Sequence, residues 1–145
     1  PQQIALAQDN IAKAGLSHRI GFHTVDMLSH STLPGDADVW WMSQFLDCFS
    51  PEQIVAMLTR VAQAMKPGAQ LCIMELFWDA QKFEAASFSL NATSLYFTCM
   101  ANGNSRFYSV EKFSHYLEMA GFRIEKRLDN LGVGHTLLVC QKIEQ

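Results

Sequence analysis

Asp38-Val39-Trp40-Trp41-Met42-Ser43-Gln44-Phe45-Leu46-Asp47-Cys48-Phe49-Ser50-Pro51-Glu52-Gln53 is the stretch on which the fold turns. Val39 to Met42 is an unbroken apolar, largely aromatic run, and such runs suit strands buried on both faces, as in a parallel sheet. A helix start follows. Ser50 is a capping residue, Pro51 fits the first helical position because no amide hydrogen bond is lost there, and Gln53 stands three residues after the cap. Between strand and helix lies the short loop Ser43 to Phe49. Loops that leave the carboxyl ends of strands are where open α/β sheets bind ligands, so Ser43, Gln44 and Asp47 stand where chemistry is expected.

Downstream, Ile54, Met57, Leu58, Val61, Ala62 and Met65 trace one apolar stripe, and Lys66-Pro67-Gly68 stops the helix. Leu71 to Phe77 reads as a second buried strand, with Glu75 near its carboxyl end and Trp78-Asp79 just beyond. Strand, helix and strand predict a right-handed βαβ unit. Phe83 to Met100 is helix-compatible, but its apolar residues, Phe88, Tyr96 and Phe97 among them, spread around the helix. That pattern predicts a helix buried on more than one side or lining a pocket. Asn102-Gly103-Asn104-Ser105 is a loop, Ser109 caps a helix over Val110 to Ala120, and Gly121 ends it. Phe122 to Leu128 alternates charges outward, as a half-exposed strand near an edge does. Asp129 to Gly134 turns, and Thr136 to Cys140 is a last apolar strand that should pair antiparallel with the one before.

Upstream, Ile4, Ala7, Ile11 and Ala14 recur at helical spacing and Gly15 serves as a left-handed stop. Arg19 to Val25, β-branched and aromatic, is expected to be a short strand closed by Asp26-Met27-Leu28. Ser29 to Asp36, with Pro34-Gly35, is a loop. The chain opens on Pro1-Gln2-Gln3 with no initiator Met and no strand before its first helix, so a fragment is expected.

With 145 residues, 49% hydrophobic and 17% charged, one compact domain is the expectation. A net charge of -3 without any Lys/Arg cluster argues against nucleic acid as a partner, because phosphate binding needs a concentrated basic surface. The apolar runs, Leu71 to Met74 among the longest, fall far short of a membrane span, and nothing resembles a signal peptide. A cytoplasmic protein with no membrane partner is the reading. Cys48, Cys72, Cys99 and Cys140 lack zinc-type spacing and read as reduced core thiols.

Asp26, Asp47 and Glu75 share one address, each at or just past the carboxyl end of a predicted strand. Carboxylates there can accept hydrogen bonds from an exocyclic amine or a ribose, or act as a general base. Each alone could instead cap a helix or pair with an Arg. The five histidines, His18, His23, His30, His115 and His135, show no metal-ligand spacing and read as surface or half-buried residues. Ser43 and Ser105 have no nucleophile-elbow context. No glycine-rich loop joins a strand to a helix, so the usual mononucleotide cradle is missing from this stretch.

Taken together, Pro1-Gln2-Gln3, Gly15-Leu16-Ser17-His18-Arg19-Ile20, Asp26-Met27-Leu28, Asp38 to Gln53, Lys66-Pro67-Gly68, Arg106 to Phe122 and His135 to Cys140 resemble, in order, the class I S-adenosylmethionine-dependent methyltransferases. Within them the likeness is to the small-molecule O-methyltransferases acting on phenols and polyketides. The resemblance implies an α/β fold, a Rossmann-like mostly parallel sheet with helices on both faces and an antiparallel last strand. The family's first strand, glycine-rich loop and ribose-binding acid would all precede Pro1. Residues 1–145 would then be a partial catalytic domain, inactive as a fragment.

Carried over by position, Asp26 and Met27 match the pair that holds the adenine of S-adenosyl-L-methionine, and Phe49 an aromatic beside it. Ser43 falls where plant-type enzymes place a cofactor-contacting Lys, with Gln44 next to it on the cofactor side. Asp47 falls at the position of the His that takes the acceptor's hydroxyl proton, and Glu75 at that of an acid orienting this base. Ser105 stands at the position of a second orienting Glu, while Tyr96 and Met100 match the substrate pocket. A carboxylate is a weak base toward a phenol, yet methyl transfer depends chiefly on alignment, and burial beside Glu75 strengthens the base. The resemblance thus implies methyl transfer to a hydroxyl of a small aromatic or hydrophobic acceptor. The alternative is a non-catalytic ligand-binding or interaction module, and a nicotinamide-dependent enzyme explains the Asp38 to Gln53 block less well. Without its first strand the sheet would expose an edge, across which a homodimer could form.

Overall fold

The computed structural model describes residues 2–29 and 32–143, which fall into two compact units divided after Ser31. In the first, helix α1 spans Gln2–Lys13. Gly15 adopts φ 70°, the Leu16 N–H bonds the Ile11 carbonyl at 3.0 Å and the Gly15 N–H bonds that of Ala12 at 3.0 Å. These two bonds close the helix by a Schellman motif, which needs a residue free of left-handed strain at Gly15.

The strand expected at Arg19 to Val25 does not form: the segment carries no strand, and no other described residue of this unit does. β-branched and aromatic residues favour a pleated surface, but a strand exists only when a neighbour completes its ladder of hydrogen bonds. Asp26 instead opens a turn. Its Oδ1 accepts the Leu28 N–H at 2.9 Å, and its carbonyl accepts the Ser29 hydroxyl at 2.9 Å. Within the expected Ser29 to Asp36 loop, His30 and Ser31 lie outside the described residues, as does Pro1 of the matched opening stretch.

The second unit is built on a four-stranded sheet of order β1-β2-β4-β3, from β1 (Val39–Ser43), β2 (Gln70–Glu75), β3 (Phe122–Leu131) and β4 (His135–Lys142). β1 and β2 run parallel, with Val39 beside Gln70 and Ser43 beside Met74. Both β2 and β3 pair antiparallel with β4. The mixed α/β architecture and antiparallel last strand match the expectation, and among the described residues the parallel pairing is that of β1 with β2. β1 is not buried on both faces: Val39 is 52% and Trp41 56% exposed. A strand at the rim of the described sheet has a neighbour on one side only, so an apolar sequence does not guarantee burial.

Helix α2 (Pro51–Ala64) returns the chain from β1 to β2. Its start is the anticipated capping box: the Ser50 hydroxyl accepts the Gln53 N–H, and the Gln53 side chain accepts the Ser50 N–H at 3.0 Å. Ile54, Met57, Leu58, Val61 and Ala62 are all buried, so one face of α2 lies in the core. Helix α4 (Val110–Met119) adds Phe113 and Leu117 to that core, and α2 and α4 touch. Phe77 meets the Phe113 ring edge-on at 5.3 Å between centroids.

Helix α3 (Glu84–Met100) departs from its expected burial: none of its residues is buried. Its apolar side chains are spread around the axis, so no single neighbouring surface can cover them. Two of the four cysteines, Cys72 and Cys140, are the buried thiols expected, whereas Cys48 and Cys99 are exposed.

Candidate functional site

β1 ends at Ser43, and the chain then turns sharply. Gln44 takes a left-handed φ of 46°, costly for a residue with a Cβ, and its N–H bonds the Met74 carbonyl of β2 at 2.9 Å. Leu46–Cys48 form one 3-10 turn that carries Asp47 and leads into the α2 cap.

Glu75, the last residue of β2, lies beneath this turn and is 2% exposed. Its Oε1 accepts the N–H groups of both Phe45 and Leu46 at 2.9 Å, while its Oε2 is buried with no partner among the described residues. Burial, then the negative charge of Asp47, pushes the Glu75 pKa up to about 7, against the two N–H bonds that pull it down. Burial also raises the Asp47 carboxyl, opposed by its bonds to the Cys48 thiol and to nearby backbone. Burial thus raises both carboxyl groups expected to act together, and the charge of Asp47 raises Glu75 further.

The other side of the turn is held by the segment before α4. The Arg106 N–H donates to the Asp47 carbonyl at 2.9 Å, and the Tyr108 hydroxyl donates to the Phe49 carbonyl at 2.7 Å. Burial drives the Tyr108 pKa up to about 12, so its hydroxyl remains a donor. Ser109 caps α4 as expected, accepting the Lys112 N–H at 3.2 Å, and Asp79 Oδ1 accepts the Val110 N–H at 2.8 Å. Glu75 and Met74 of β2 and Arg106 and Tyr108 of this segment, far away in sequence, thus anchor the Ser43 to Phe49 loop, which is held before any ligand arrives.

Of the other expected site residues, Ser43, Gln44 and Phe49 flank the same turn. Phe49 is half-buried and sits edge-on to Phe45 at 5.0 Å between ring centroids. Ser105 is 8% exposed in the loop after α3. Tyr96 and Met100 stand on α3, 58% and 74% exposed, with Tyr96 tilted against Phe97 at 5.8 Å. Asp26 and Met27 belong to the amino-terminal unit, in the turn described above.

Three contributors escaped the sequence reading. His135, first residue of β4, meets the Gln44 amide through its Nε2. Cys48 donates its thiol to Asp47 Oδ1 at 3.5 Å. Asn102 donates to the Ser105 hydroxyl at 2.8 Å. His135 reaches Gln44 only through the fold, whereas Cys48 and Asn102 act on residues one and three positions away. The one signal available was the clustering of Asn102, Asn104 and Ser105, residues that bond their own backbone in turns.

This geometry, a carboxyl pair at the carboxyl edge of a parallel strand pair, accompanies a family profile for the O-methyltransferase domain that matches residues 1–123. The chain belongs to that family. The Streptomyces lavendulae mitomycin biosynthesis 6-O-methyltransferase is 27% identical over 122 residues, covering 84% of this chain and 33% of that protein. The N,N-dimethyltransferase OxyT of Streptomyces rimosus is 29% identical over 144 residues, 98% of this chain and 40% of that one. Among solved structures, the S-adenosylmethionine-dependent methyltransferase SibL superposes with a TM-score of 0.82 at 23% identity, over 99% of this chain and 42% of that one. The chain therefore spans a third to two fifths of these curated relatives. Within this O-methyltransferase domain the matched profile takes in the Asp47 turn, Glu75 and Ser105. No helix among the described residues is long and apolar enough to cross a membrane.

Proposed function

We propose that this O-methyltransferase domain segment carries the acceptor-facing part of an enzyme that transfers a methyl group from S-adenosyl-L-methionine to a hydroxyl of a small aromatic or hydrophobic acceptor. The observation that carries this reading is the pairing of Glu75 with the turn that bears Asp47. Bound S-adenosyl-L-methionine supplies an electrophilic methyl group. Ser43, Gln44 and Phe49 are the residues of this unit that would hold it.

Asp47 would accept a hydrogen bond from the acceptor hydroxyl and take its proton as the methyl group is transferred. Its partial burial makes it a stronger base than a solvated Asp. Glu75 acts through the turn: by holding the Phe45 and Leu46 N–H groups it fixes where Asp47 points. Their roles are separate: Glu75, raised to about 7 by burial and then by the charge of Asp47, holds the turn, and Asp47 meets the acceptor.

The test is calorimetric titration of S-adenosyl-L-methionine into this chain and into the full-length gene product, followed by methyl transfer to a panel of phenols. The expected outcome is binding and transfer by the full-length protein, with Asp47→Ala lowering kcat roughly 10²-fold, the lower range for a general base. Tight binding with no transfer to any phenol would replace this reading by a non-catalytic module using the same cleft. Absence of binding in both proteins would remove both readings.

A further inference from the structure

β2 lies between β1 and β4 in the sheet, so facing residues of β1 and β4 stand two strand spacings, about 10 Å, apart. A contact between their carboxyl-edge ends needs two long side chains that reach past the end of β2. Gln44 and His135 make it, the Gln44 amide meeting the His135 ring at Nε2. Gln44 follows Ser43, the partner of Met74, and His135 precedes Thr136, the partner of Glu75, so the pair closes over the carboxyl end of β2. Gln44 is thereby held twice, its N–H by the Met74 carbonyl at 2.9 Å and its side chain by His135. A left-handed φ of 46° on a residue with a Cβ persists only where the surroundings over-determine it, and these two bonds do so.

The start of β4 is fixed independently. Gln81, just after the 3-10 turn Trp78–Ala80, donates its amide to the Phe77 carbonyl at 2.8 Å and to the Gly134 carbonyl at 3.0 Å. Gly134 takes φ 90°, and a Cβ there would collide with the Gln81 side chain, so the close approach requires glycine. Gly134 and His135 thus join the loop that leaves β1 to the segment that leaves β2.

We propose that His135 is a positioning residue, clasping Gln44 across the end of β2 and so fixing the cofactor side of the Asp47 turn. The proposal rests on the reading of Gln44 given above. An amide N–H can only donate, so the ring nitrogen that meets it accepts, which requires a neutral imidazole with its proton on Nδ1. Glu75 does not supply this hold, since its Oε1 is committed to the N–H groups of Phe45 and Leu46. The turn is gripped at two points: Glu75 sets the end that carries Asp47, and His135 the end next to Ser43.

The experiment has two arms. Nitrogen-15 NMR of the His135 ring at alkaline pH, which needs neither cofactor nor acceptor, should show the proton on Nδ1 in the wild-type chain and on Nε2 in Gln44→Ala. Calorimetric titration of S-adenosyl-L-methionine into the full-length gene product should then show His135→Ala weakening binding roughly fivefold, about the worth of one hydrogen bond. His135→Gln, whose amide oxygen stands in for the ring nitrogen, should stay within about twofold of wild type. The His135→Ala, Gln44→Ala double variant should bind no worse than the weaker single variant, because both substitutions remove one shared interaction. The same tautomer in wild type and Gln44→Ala, losses that add in the double variant, or a failure of His135→Gln to restore binding each overturns the proposal. A wild-type full-length protein that binds no S-adenosyl-L-methionine removes the reading of Gln44 and this role with it, whereas intact binding with an unchanged tautomer removes this role alone.

Discussion

Glu75 and Asp129 are carboxylates linked through a single residue. Thr136 is the register partner of Glu75 across β2 and β4, and its hydroxyl donates to Asp129 Oδ1 at 2.8 Å. Yet the two acids are treated oppositely. Asp129 lies at the rim of the β3–β4 hairpin, receives Arg127 Nε at 2.8 Å, and has its pKa lowered chiefly by that bond. Glu75 is buried, receives only neutral donors, keeps one oxygen without a partner among the described residues, and faces a second negative group. A carboxylate that serves the fold alone is matched with a cation and left near water. One that is buried beside another acid stores electrostatic work that the fold does not need, which is the pattern of a functional site.

Glu75→Leu is the strongest way to break the contrast. It fills the space but strands the buried N–H groups of Phe45 and Leu46, each worth about 1–3 kcal/mol when unsatisfied, so a urea melt at pH 5 should lose roughly 2–6 kcal/mol. Glu75→Gln keeps an acceptor for both and should lose less than about 1 kcal/mol under the same conditions. If both variants melt alike, the two hydrogen bonds do not hold the turn.

The pH dependence sharpens the contrast next. Glu75 has a folded pKa raised from 4.5 to about 7, so the folded state binds the proton more tightly than the unfolded one. Its contribution to stability is complete below about 4.5 and is lost as pH rises through about 7. At 1.36 kcal/mol per unit this amounts to at most about 3 kcal/mol across that window. Melts of the wild-type chain between pH 4.5 and 7.5 should show the loss, and Glu75→Gln should flatten it. A wild-type curve that is level over this range would mean that Glu75 is ionised without penalty.

Much of the frame that presents Glu75 was legible in the sequence because its signals are local. Ser50, Pro51 and Gln53 announce α2, Gly15 and Gly121 mark positive φ, and the alternation in Phe122 to Leu128 marks an edge strand. The placement of Asp47 and Glu75 follows from strand ends alone. What failed depended on partners distant in sequence. Arg19 to Val25 has strand composition but no ladder, and Trp41 has core composition but an exposed position. Cys48 looked like a core thiol, yet it lies exposed on the Asp47 turn. The His135–Gln44 contact joins residues far apart in sequence.

The smallest expected effect tests the paired side of the comparison. Asp129 and Arg127 are both more than a third exposed, so their ion pair is screened and contributes only a few tenths of a kcal/mol. Thr136 is different: it is fully buried, and Asp129 accepts its hydroxyl. Asp129→Ala should therefore cost about 1 kcal/mol, most of it from the orphaned hydroxyl, and the Thr136→Val, Asp129→Ala double variant should recover that part because neither polar group then remains. The lowered pKa of Asp129 adds stability that is present above the ordinary Asp range and lost as pH falls through its folded value, the reverse of Glu75. A loss in Asp129→Ala that the double variant fails to recover, but that 0.5 M salt abolishes, would instead assign the stabilisation to Arg127, because salt screens an exposed ion pair and leaves a buried hydroxyl bond untouched.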